Sequence, residues 1–233
     1  QARTVLREAD NREGLAELGN DPLGSVLSVG AIYTLGPSLF PRLVNRLHEL
    51  VPTMPLYIEE SYTANLRRKL TNGELDAIFV ALPFTETDVL TREVFDEPFV
   101  VVLPQGHPLA GKEAIEPADL ATEHVLLMGE GHCFRDQVLA ACPGLQSAIN
   151  SARERGQANV EGSSLATLKL MVASGMGITV LPQLAADGAR DNDSSLIIRP
   201  FTDPVPRRTL ALAWRASFPR PEAIEILTRA VRD

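Results

Sequence analysis

The chain has 233 residues, 45% of them hydrophobic and 22% charged, a balance typical of a soluble globular protein with one large α/β domain or two small lobes. Its formal net charge of -8 argues against direct binding to a nucleic-acid backbone, because such affinity comes mainly from clustered Lys and Arg. There is no run of eighteen apolar residues and residues 1–14 lack the apolar region of a signal peptide, so we expect a cytoplasmic protein without a membrane span.

The first predicted element is an amphipathic helix at the start of the chain. Apolar side chains recur among many charges over 1–18, and the turn residues of 19–24 end the helix. We expect residues 1–20 to be the end of a linker helix whose earlier part lies outside this chain.

Strands and helices then alternate with short connections. Val, Ile and Leu dominate the strand segments, apolar residues at helical spacing indicate the helices, and Gly73 follows the second helix as a stop signal. In chain order we predict a strand over 25–32, a helix over 37–51, a strand over 56–61, a helix over 63–73 and a strand over 76–82. This order is typical of a parallel sheet with helices packed on it.

A second α/β series follows, and a late strand and helix end the chain. We predict strands over 99–104, 124–128, 158–162 and 177–182, helices over 133–141 and 163–175, then a strand over 207–215 and a helix over 220–232. Two consecutive series with a returning strand predict two lobes, joined by crossovers near 83–98 and 199–206.

Both cysteines lie in one segment, 129–145, at positions that suit thiol chemistry. Cys133 follows His132 and is predicted to open a helix, whose N-terminal N–H groups and dipole favour the thiolate, the nucleophilic form. Cys142 precedes Pro143, so we expect the helix to end there and a flexible stretch to follow. A small buried side chain is the alternative role for either cysteine.

The spacing of the two cysteines limits what they can do together. Nine helical steps of about 1.5 Å would place their Cα atoms about 13 Å apart, whereas a disulfide needs less than about 7 Å. Either Cys133 and Cys142 never meet, or the segment changes shape when they do. Two Cys and four His occur without metal-motif spacing, and the chain has neither a G-x-S-x-G motif nor a P-loop.

Two threonines follow predicted parallel strands at the edge where α/β sheets bind ligands. Thr34 comes just after the first strand, and Thr63 follows the second strand at the start of a helix. The alternative for each is a turn or helix-cap hydroxyl, which for Thr63 alone is the commoner role. Their shared position favours ligand binding.

The segment LLMGEGHCFRDQVLAAC closely resembles the redox-active segment of the OxyR-type hydrogen-peroxide sensors within the LysR family of bacterial transcription regulators. The G-H-C-x-R-D-Q run, with a second cysteine nine residues after the first, carries the specific part of this resemblance. It extends over nearly the entire chain through GAIYTLGPSLFPRL, LTNGELDAIFVALP, SLATLKLMVASGMGITVLP and PRRTLALAWR. The SGMGITVLP stretch is typical only of the broader LysR effector-binding fold.

The resemblance implies an α/β fold of two Rossmann-like lobes of the periplasmic-binding-protein-like type. Lobe I would comprise 21–95 and 200–233, and lobe II would comprise 96–199, with a redox segment at 129–157. The resemblance also implies a homodimer or tetramer, a DNA-binding winged helix-turn-helix domain absent from this chain, and contact with RNA polymerase in the full-length protein. No cofactor, metal or membrane is expected.

By position, Cys133 matches the peroxidatic cysteine of these sensors and Cys142 its resolving partner. Four further residues match positions around the peroxide pocket: Thr34, Thr63, His132 and Arg208. The threonines would hold the peroxide, and Arg208 or His132 would stabilise the thiolate or the leaving oxygen. The implied function is regulatory rather than enzymatic: peroxide oxidises Cys133 to a sulfenic acid, which then forms a disulfide with Cys142 and changes DNA binding.

Two other functions remain open. A LysR effector domain or a periplasmic solute-binding pair of lobes would bind a small anion with the same fold and threonines, and it needs no cysteine pair. A true cysteine peroxidase would turn over many equivalents of peroxide with a reductant, but its P-x-x-x-[ST]-x-x-C motif does not precede Cys133. A binder would keep both thiols after a peroxide pulse, which separates it from a sensor.

Overall fold

The computed structural model describes residues 23–154, 161–190 and 195–232. The predicted linker helix over 1–20 lies outside these ranges. Within them, none of the helices has both the length and the apolar character that crossing a membrane requires.

The described residues form two compact units. Unit 1 contains the residues up to Phe95 together with those from Thr209 onward, and unit 2 is Asp96–Arg208. The first division coincides with the expected boundary after residue 95. The second lies at 208/209 instead of 199/200, because Phe201 packs in the core of unit 2 and the Arg208 side chain pairs with Glu97 of the same unit.

Unit 1 begins with the predicted alternation of strands and helices. Its elements are, in chain order, β1 (Leu27–Ile32), α1 (Gly36–Leu50), β2 (Leu56–Ser61), α2 (Thr63–Asn72), β3 (Ala77–Ala81) and the start of β4 (Val89–Pro104). Gly73 follows α2 with a left-handed φ of 84°, a conformation that glycine adopts readily, which confirms Gly73 as the predicted stop signal. The chain passes from unit 1 to unit 2 within the range predicted for a crossover, 83–98, and part of this range is strand, because β4 begins at Val89.

Unit 2 carries the second α/β series. Its elements after β4 are β5 (Val125–Met128), α3 (Cys133–Ala141), α4 (Pro143–Glu154), β6 (Glu161–Gly162), α5 (Leu165–Ala173), β7 (Ile178–Pro182), α6 (Gln183–Arg190) and β8 (Leu196–Pro200). The sequence analysis did not predict α6 and β8. Of the strand predicted over 158–162, residues 161 and 162 form β6 and the others lie outside the described ranges.

A second helix, α4, lies where the sequence predicts a flexible stretch after Cys142. Pro143 is the first residue of α4. The ring of proline fixes φ near the helical value, and its missing N–H costs nothing in the first turn, so proline suits a helix start as well as a helix stop. The described part of the redox segment therefore contains two consecutive helices, and the flexible-stretch prediction is wrong for 143–154.

The last two elements, β9 (Arg207–Arg215) and α7 (Pro221–Arg232), return the chain to unit 1. The strand order in unit 1 is β2-β1-β3-β9, with β1 parallel to both neighbours and β9 antiparallel to β3. In unit 2 the order is β8-β4-β7-β5-β6, with β5 parallel to its neighbours and β4 antiparallel to β7 and β8. Helices alternate with these strands in both units, which confirms the predicted α/β fold class.

The core of unit 2 includes the cysteine segment. Val101 and Leu103 of β4 are fully buried, and the same core contains Phe134 and Val138 of α3 together with Cys142. Burial of these side chains holds α3 against the sheet, so any change of shape in this segment disturbs the core.

Candidate functional site

Cys133 is the first residue of α3, as predicted. Gly131, with a left-handed φ of 90°, and His132, in an extended conformation, lead the chain into this helix. The Cys133 thiol is half-buried and forms no disulfide. It lies at the helix end where backbone N–H groups lack acceptors within the helix.

Cys142 follows the last residue of α3 and has 1% of its surface exposed. Its backbone N–H donates a hydrogen bond to the Val138 carbonyl at 2.9 Å, and its own carbonyl accepts one from the Leu145 N–H at 2.9 Å. Burial raises the pKa of the Cys142 thiol to about 11, because apolar surroundings disfavour the charged thiolate. At neutral pH this cysteine is therefore protonated and weakly nucleophilic in this conformation.

The helix α3 separates the two thiols. Its range, Cys133–Ala141, confirms the predicted helix, and its rise of about 1.5 Å per residue places the Cα atoms of Cys133 and Cys142 roughly 13 Å apart. Both cysteines are free. Because a disulfide needs a Cα separation below about 7 Å, at least part of α3 must unwind before the two sulfurs can bond.

Phe134, the residue after Cys133, anchors the first turn of α3 in the core. Its ring is fully buried and meets Phe99 of β4 edge to face, with ring centroids 5.1 Å apart. The guanidinium carbon of Arg208 lies 5.3 Å from the same ring centroid. Aromatic pairs and cation–π contacts each contribute about 0.5–2 kcal/mol. Because Phe134 is bonded to Cys133, these contacts also restrain Cys133.

Arg208, a predicted site residue, forms a buried ion pair with Glu97 of β4. Its Nε and Nη2 lie 2.8 Å and 2.7 Å from Oε2 of Glu97, and the two side chains are 0% and 2% exposed. The other carboxylate oxygen, Oε1, accepts a hydrogen bond from the backbone N–H of Leu184 in α6 at 3.0 Å. The Arg208 cation is thus compensated by a neighbouring anion, which reduces the positive charge felt by surrounding groups.

Arg135 connects the same turn of α3 to two strands. Its Nη1 donates a hydrogen bond to the carbonyl of Met128, the last residue of β5, at 2.8 Å, and lies 2.9 Å from Oε1 of Glu161 in β6. The side chain is mostly buried, so water competes little for these charge-assisted contacts. The first turn of α3 therefore has two anchors, the Phe134 ring and the Arg135 guanidinium.

His132 does not supply a full positive charge to the site. It is 6% exposed, and burial lowers the pKa of its imidazole because the protonated form loses hydration there. The ring is therefore neutral at neutral pH and can act only through hydrogen bonds. The role of Arg208 or His132 in stabilising the thiolate or the leaving oxygen stays a prediction.

Thr34 and Thr63 lie in unit 1 at equivalent positions of two neighbouring strands. β1 and β2 are parallel, Ile32 is paired with Ser61, and each threonine stands two residues beyond this pair. Thr34 is buried, and Thr63 is half-buried as the first residue of α2. Both therefore lie at the carboxyl edge of the unit 1 sheet, the edge at which parallel sheets bind ligands.

The residues that precede these threonines contact each other. The rings of Tyr33 and Tyr62 meet edge to face, with centroids 5.2 Å apart and an angle of 84° between their planes. This contact fixes the two strand ends relative to each other within unit 1. The role of Thr34 and Thr63 in binding peroxide stays a prediction.

The six predicted site residues are divided between the two units. Unit 1 contains Thr34 and Thr63, and unit 2 contains His132, Cys133, Cys142 and Arg208. In the described ranges, His, Cys, Asp and Glu side chains form no group of three or more that could hold a metal ion.

Sequence reasoning missed Glu97, because the strand predicted over 99–104 does not reach it, whereas β4 extends back to Val89. Side chains alternate between the two faces of a strand, so Glu97 shares a face with Phe99, and both are buried. A carboxylate on a buried strand face requires a cationic or hydrogen-bonding partner. The burial of Glu97 therefore calls for a partner, and the structure identifies it as Arg208, which lies 111 residues away in the chain.

The fold and the site together define an α/β effector-binding domain of two units with a two-cysteine segment in the second. Residues 20–233 match the LysR substrate binding domain, and the chain belongs to this family. The hydrogen peroxide-inducible genes activator of Escherichia coli is 35% identical over 232 residues, which cover 100% of this chain and 73% of that protein.

Solved structures similar to this chain include two forms of OxyR. The reduced form of the OxyR regulatory domain from Pseudomonas aeruginosa is 53% identical, with a TM-score of 0.81 and coverage of 90% of this chain and 96% of that one. An oxidised form of OxyR is 34% identical, with a TM-score of 0.73 and coverage of 91% and 96%.

Proposed function

We propose that this chain is the regulatory domain of an OxyR-type, peroxide-sensing transcription regulator. The observation that carries the proposal is the separation of two free thiols by α3, with Cys133 half-buried at the helix start and Cys142 buried and protonated at its end. A domain that only binds a metabolite has no need of this arrangement. The 35% identity to a hydrogen peroxide-inducible genes activator supports the same function.

In this proposal Cys133 reacts with hydrogen peroxide. Its thiolate attacks one peroxide oxygen, the O–O bond breaks, and the second oxygen leaves as hydroxide and takes up a proton to become water, leaving a sulfenic acid on Cys133. Negative charge develops on the leaving oxygen, so hydrogen-bond donors near it lower the barrier. Arg208 and neutral His132 are the candidates from unit 2, and the hydroxyls of Thr34 and Thr63 are proposed, on the resemblance, to bind peroxide.

Cys142 then resolves the sulfenic acid. Its sulfur attacks the sulfur of Cys133, a disulfide forms, and the sulfenic oxygen leaves as water with the thiol proton. In the described conformation this step is prevented twice, because α3 keeps the sulfurs apart and burial keeps Cys142 protonated. Unwinding of α3 removes the first obstacle by letting the two sulfurs approach each other, so disulfide formation and the change of shape are one event.

The disulfide is the output of the domain. We propose that the dithiol and disulfide conformations of the domain assemble differently within a cytoplasmic homodimer or tetramer. The changed assembly would alter the binding of DNA by a winged helix-turn-helix domain and the contact with RNA polymerase. Each domain consumes one peroxide per disulfide and needs an external reductant before it can react again. The proposed role is that of a sensor, because the output is the change of shape and not the removal of peroxide.

A thiol titration with peptide mapping tests the proposal. One equivalent of hydrogen peroxide should remove both free thiols and give a peptide linked through Cys133 and Cys142. Retention of both thiols would instead favour the LysR metabolite-binding function, and the assay would then be repeated with small carboxylates as ligands. Continuous peroxide consumption with a dithiol reductant at an enzymatic rate would favour a peroxidase.

A further inference from the structure

Glu97 is a buried carboxylate that the proposed chemistry does not use. It is 2% exposed, it lies on β4, and both of its oxygens accept hydrogen bonds, two from Arg208 and one from Leu184. Burial of such a group is costly unless the interactions it makes are well oriented. Glu97 binds Arg208, and Arg208 contacts Phe134, the residue that anchors α3. This sequence of contacts connects Glu97 to the redox segment.

We propose that Glu97 is a positioning residue for the redox segment, which holds Arg208 against Phe134 and thereby sets the equilibrium between the dithiol and the disulfide. This inference rests on the proposed disulfide between Cys133 and Cys142. It concerns the energetics of that switch and assigns Glu97 no contact with peroxide.

The first step is the orientation of Arg208. Oε2 of Glu97 receives both Nε and Nη2 of the guanidinium, and the Leu184 N–H binds Oε1, so the carboxylate has donors on both oxygens and cannot rotate freely. Leu184 is in the first turn of α6, where backbone N–H groups lack intrahelical acceptors and favour a negative charge. Glu97 therefore fixes the plane of the guanidinium from a rigid position.

The second step is the contact between Arg208 and Phe134. The oriented guanidinium lies 5.3 Å from the ring centroid of Phe134, and Phe99 contacts the same ring at 5.1 Å. Because solvent is excluded, this cation–π contact is stronger than one at the surface. The series of contacts from Glu97 through Arg208 to Phe134 thus stabilises the first turn of α3.

The third step identifies which end of α3 has to move. Cys142 is buried with Leu145 and Ile149 of α4, which are 2% and 8% exposed. Cys133 is only half-buried, and exposed Gly131 precedes it with a left-handed φ. Release of the N-terminal end removes Phe134 from the core, whereas release of the other end would remove Cys142 together with Leu145 and Ile149. We therefore expect the first turn to leave its place when the disulfide forms. The contacts of Phe134 then stabilise the dithiol and not the disulfide.

A thiol–disulfide equilibrium measurement tests this. The protein is equilibrated with mixtures of reduced and oxidised dithiothreitol, in which the two protein thiols give two electrons and two protons to the cyclic disulfide reagent. Glu97→Gln keeps the shape and one acceptor oxygen but removes the charge, and Phe134→Leu keeps an apolar side chain but removes the ring. Each should shift the equilibrium towards the protein disulfide by about threefold to tenfold, or about 15–30 mV at 29.6 mV per tenfold change.

The double variant distinguishes a positioning role of Glu97, exerted through Phe134, from a general contribution of Glu97 to the stability of the fold. If Glu97 acts through Phe134, the shift in Glu97→Gln/Phe134→Leu should be clearly smaller than the product of the single shifts. A shift equal to the product, or a Glu97→Gln equilibrium within a factor of about 1.5 of the unchanged protein, overturns the inference. If Glu97→Gln does not fold, an unchanged equilibrium in Phe134→Leu overturns it as well.

Matched controls and a comparison of oxidants complete the experiment. Glu113→Gln removes an exposed carboxylate of the same unit, Phe201→Leu shortens an equally buried ring elsewhere in its core, and both should leave the equilibrium unchanged. Because oxidised dithiothreitol replaces peroxide as the oxidant, the experiment tests the positioning role of Glu97 independently of the proposed peroxide-sensing function. A protein that forms the disulfide in this buffer but not with peroxide contradicts the proposed function, while the variants still test Glu97.

Discussion

Cys133 and Cys142 occupy the two ends of one helix, and their surroundings are opposite in character. The first is half-buried at the N-terminal end of α3, and the second is 1% exposed with a raised pKa. In the dithiol form only one of the two sulfurs is therefore prepared to react. In the proposed mechanism this asymmetry sets the order of events, in which Cys133 reacts first and Cys142 only after the helix has opened.

Serine substitutions of the two cysteines should have different effects. Cys133→Ser should abolish peroxide consumption, because a hydroxyl is a far weaker nucleophile than a thiolate. Cys142→Ser should react once and leave a sulfenic acid on Cys133, detectable as a dimedone adduct by mass spectrometry. Stoichiometric reaction of Cys133→Ser, or the lack of an adduct in Cys142→Ser after a brief peroxide pulse, would contradict these roles.

The raised pKa of Cys142 predicts a specific loss of stability at alkaline pH. The folded thiol ionises near pH 11, whereas an unfolded cysteine ionises near pH 8.5–9. Stability contributed by the protonated thiol is thus fully present below about pH 8.5 and is lost as the pH rises towards 11. Urea unfolding of reduced protein should show the advantage over Cys142→Ala decrease by up to about 3 kcal/mol across this window. A pH-independent difference would show that the thiol is not desolvated.

Oxidation should loosen the redox segment and spare the two cores. Disulfide formation has to unwind part of α3, so amide hydrogen exchange should increase most within 129–154. The central strands over 77–81 and 178–182 are fully buried and should keep their protection in both redox states. Equal exchange of α3 in reduced and oxidised protein would rule out the proposed change of shape.

The Arg135 anchor should stabilise reduced protein more than oxidised protein. Arg135→Met removes the contacts to Met128 and Glu161 and should lower the free energy of unfolding of the reduced form by about 1–3 kcal/mol. The oxidised form, with the first turn of α3 released, should lose less. Arg199→Met is the matched control, because Arg199 binds carbonyls of Ala110 and Lys112 away from α3, and its cost should be the same in both redox states. Equal losses for Arg135→Met in the two states would place the opening elsewhere.

The two threonines of unit 1 should affect rate rather than stability. Thr34→Val and Thr63→Val each remove a hydroxyl and keep the side-chain volume, so the peroxide reaction followed by stopped flow should slow about tenfold or more while the melting temperature changes little. Thr71→Val is the control, since its hydroxyl bonds only the Arg68 carbonyl within α2. Rates equal to that of the unchanged protein would reduce Thr34 and Thr63 to turn and helix-start residues.

Local sequence signals were sufficient for most of the fold. The start of α3 at Cys133, the start of α2 at Thr63 and the stop at Gly73 depend on residues within one or two turns of the position. Such signals are encoded beside the element that they define. The family resemblance then supplied the cysteine roles, which spacing alone left open.

The parts that the sequence did not reveal depend on distant contacts. Glu97 and Arg208 are 111 residues apart, and nothing in either neighbourhood specifies the pairing. The predicted stop of α3 before Pro143 is confirmed, but no sequence signal indicated that the same ring conformation also starts α4. The charge of His132 also followed from burial, which depends on tertiary packing and not on the residues beside it.

The separation of the two sulfurs by α3 also affects which soft metal compounds the domain can bind. Trivalent arsenic and Hg²⁺ bind tightly by bridging two thiolates a few ångströms apart, and the dithiol form offers them Cys133 alone, because Cys142 is buried at the other end of the helix. Bridging would require the same unwinding that the disulfide requires, without the condensation of a sulfenic acid on Cys133 with Cys142, which releases water and offsets the cost of that unwinding. The length of one short helix thus favours a response to an oxidant over a response to thiol-binding metals.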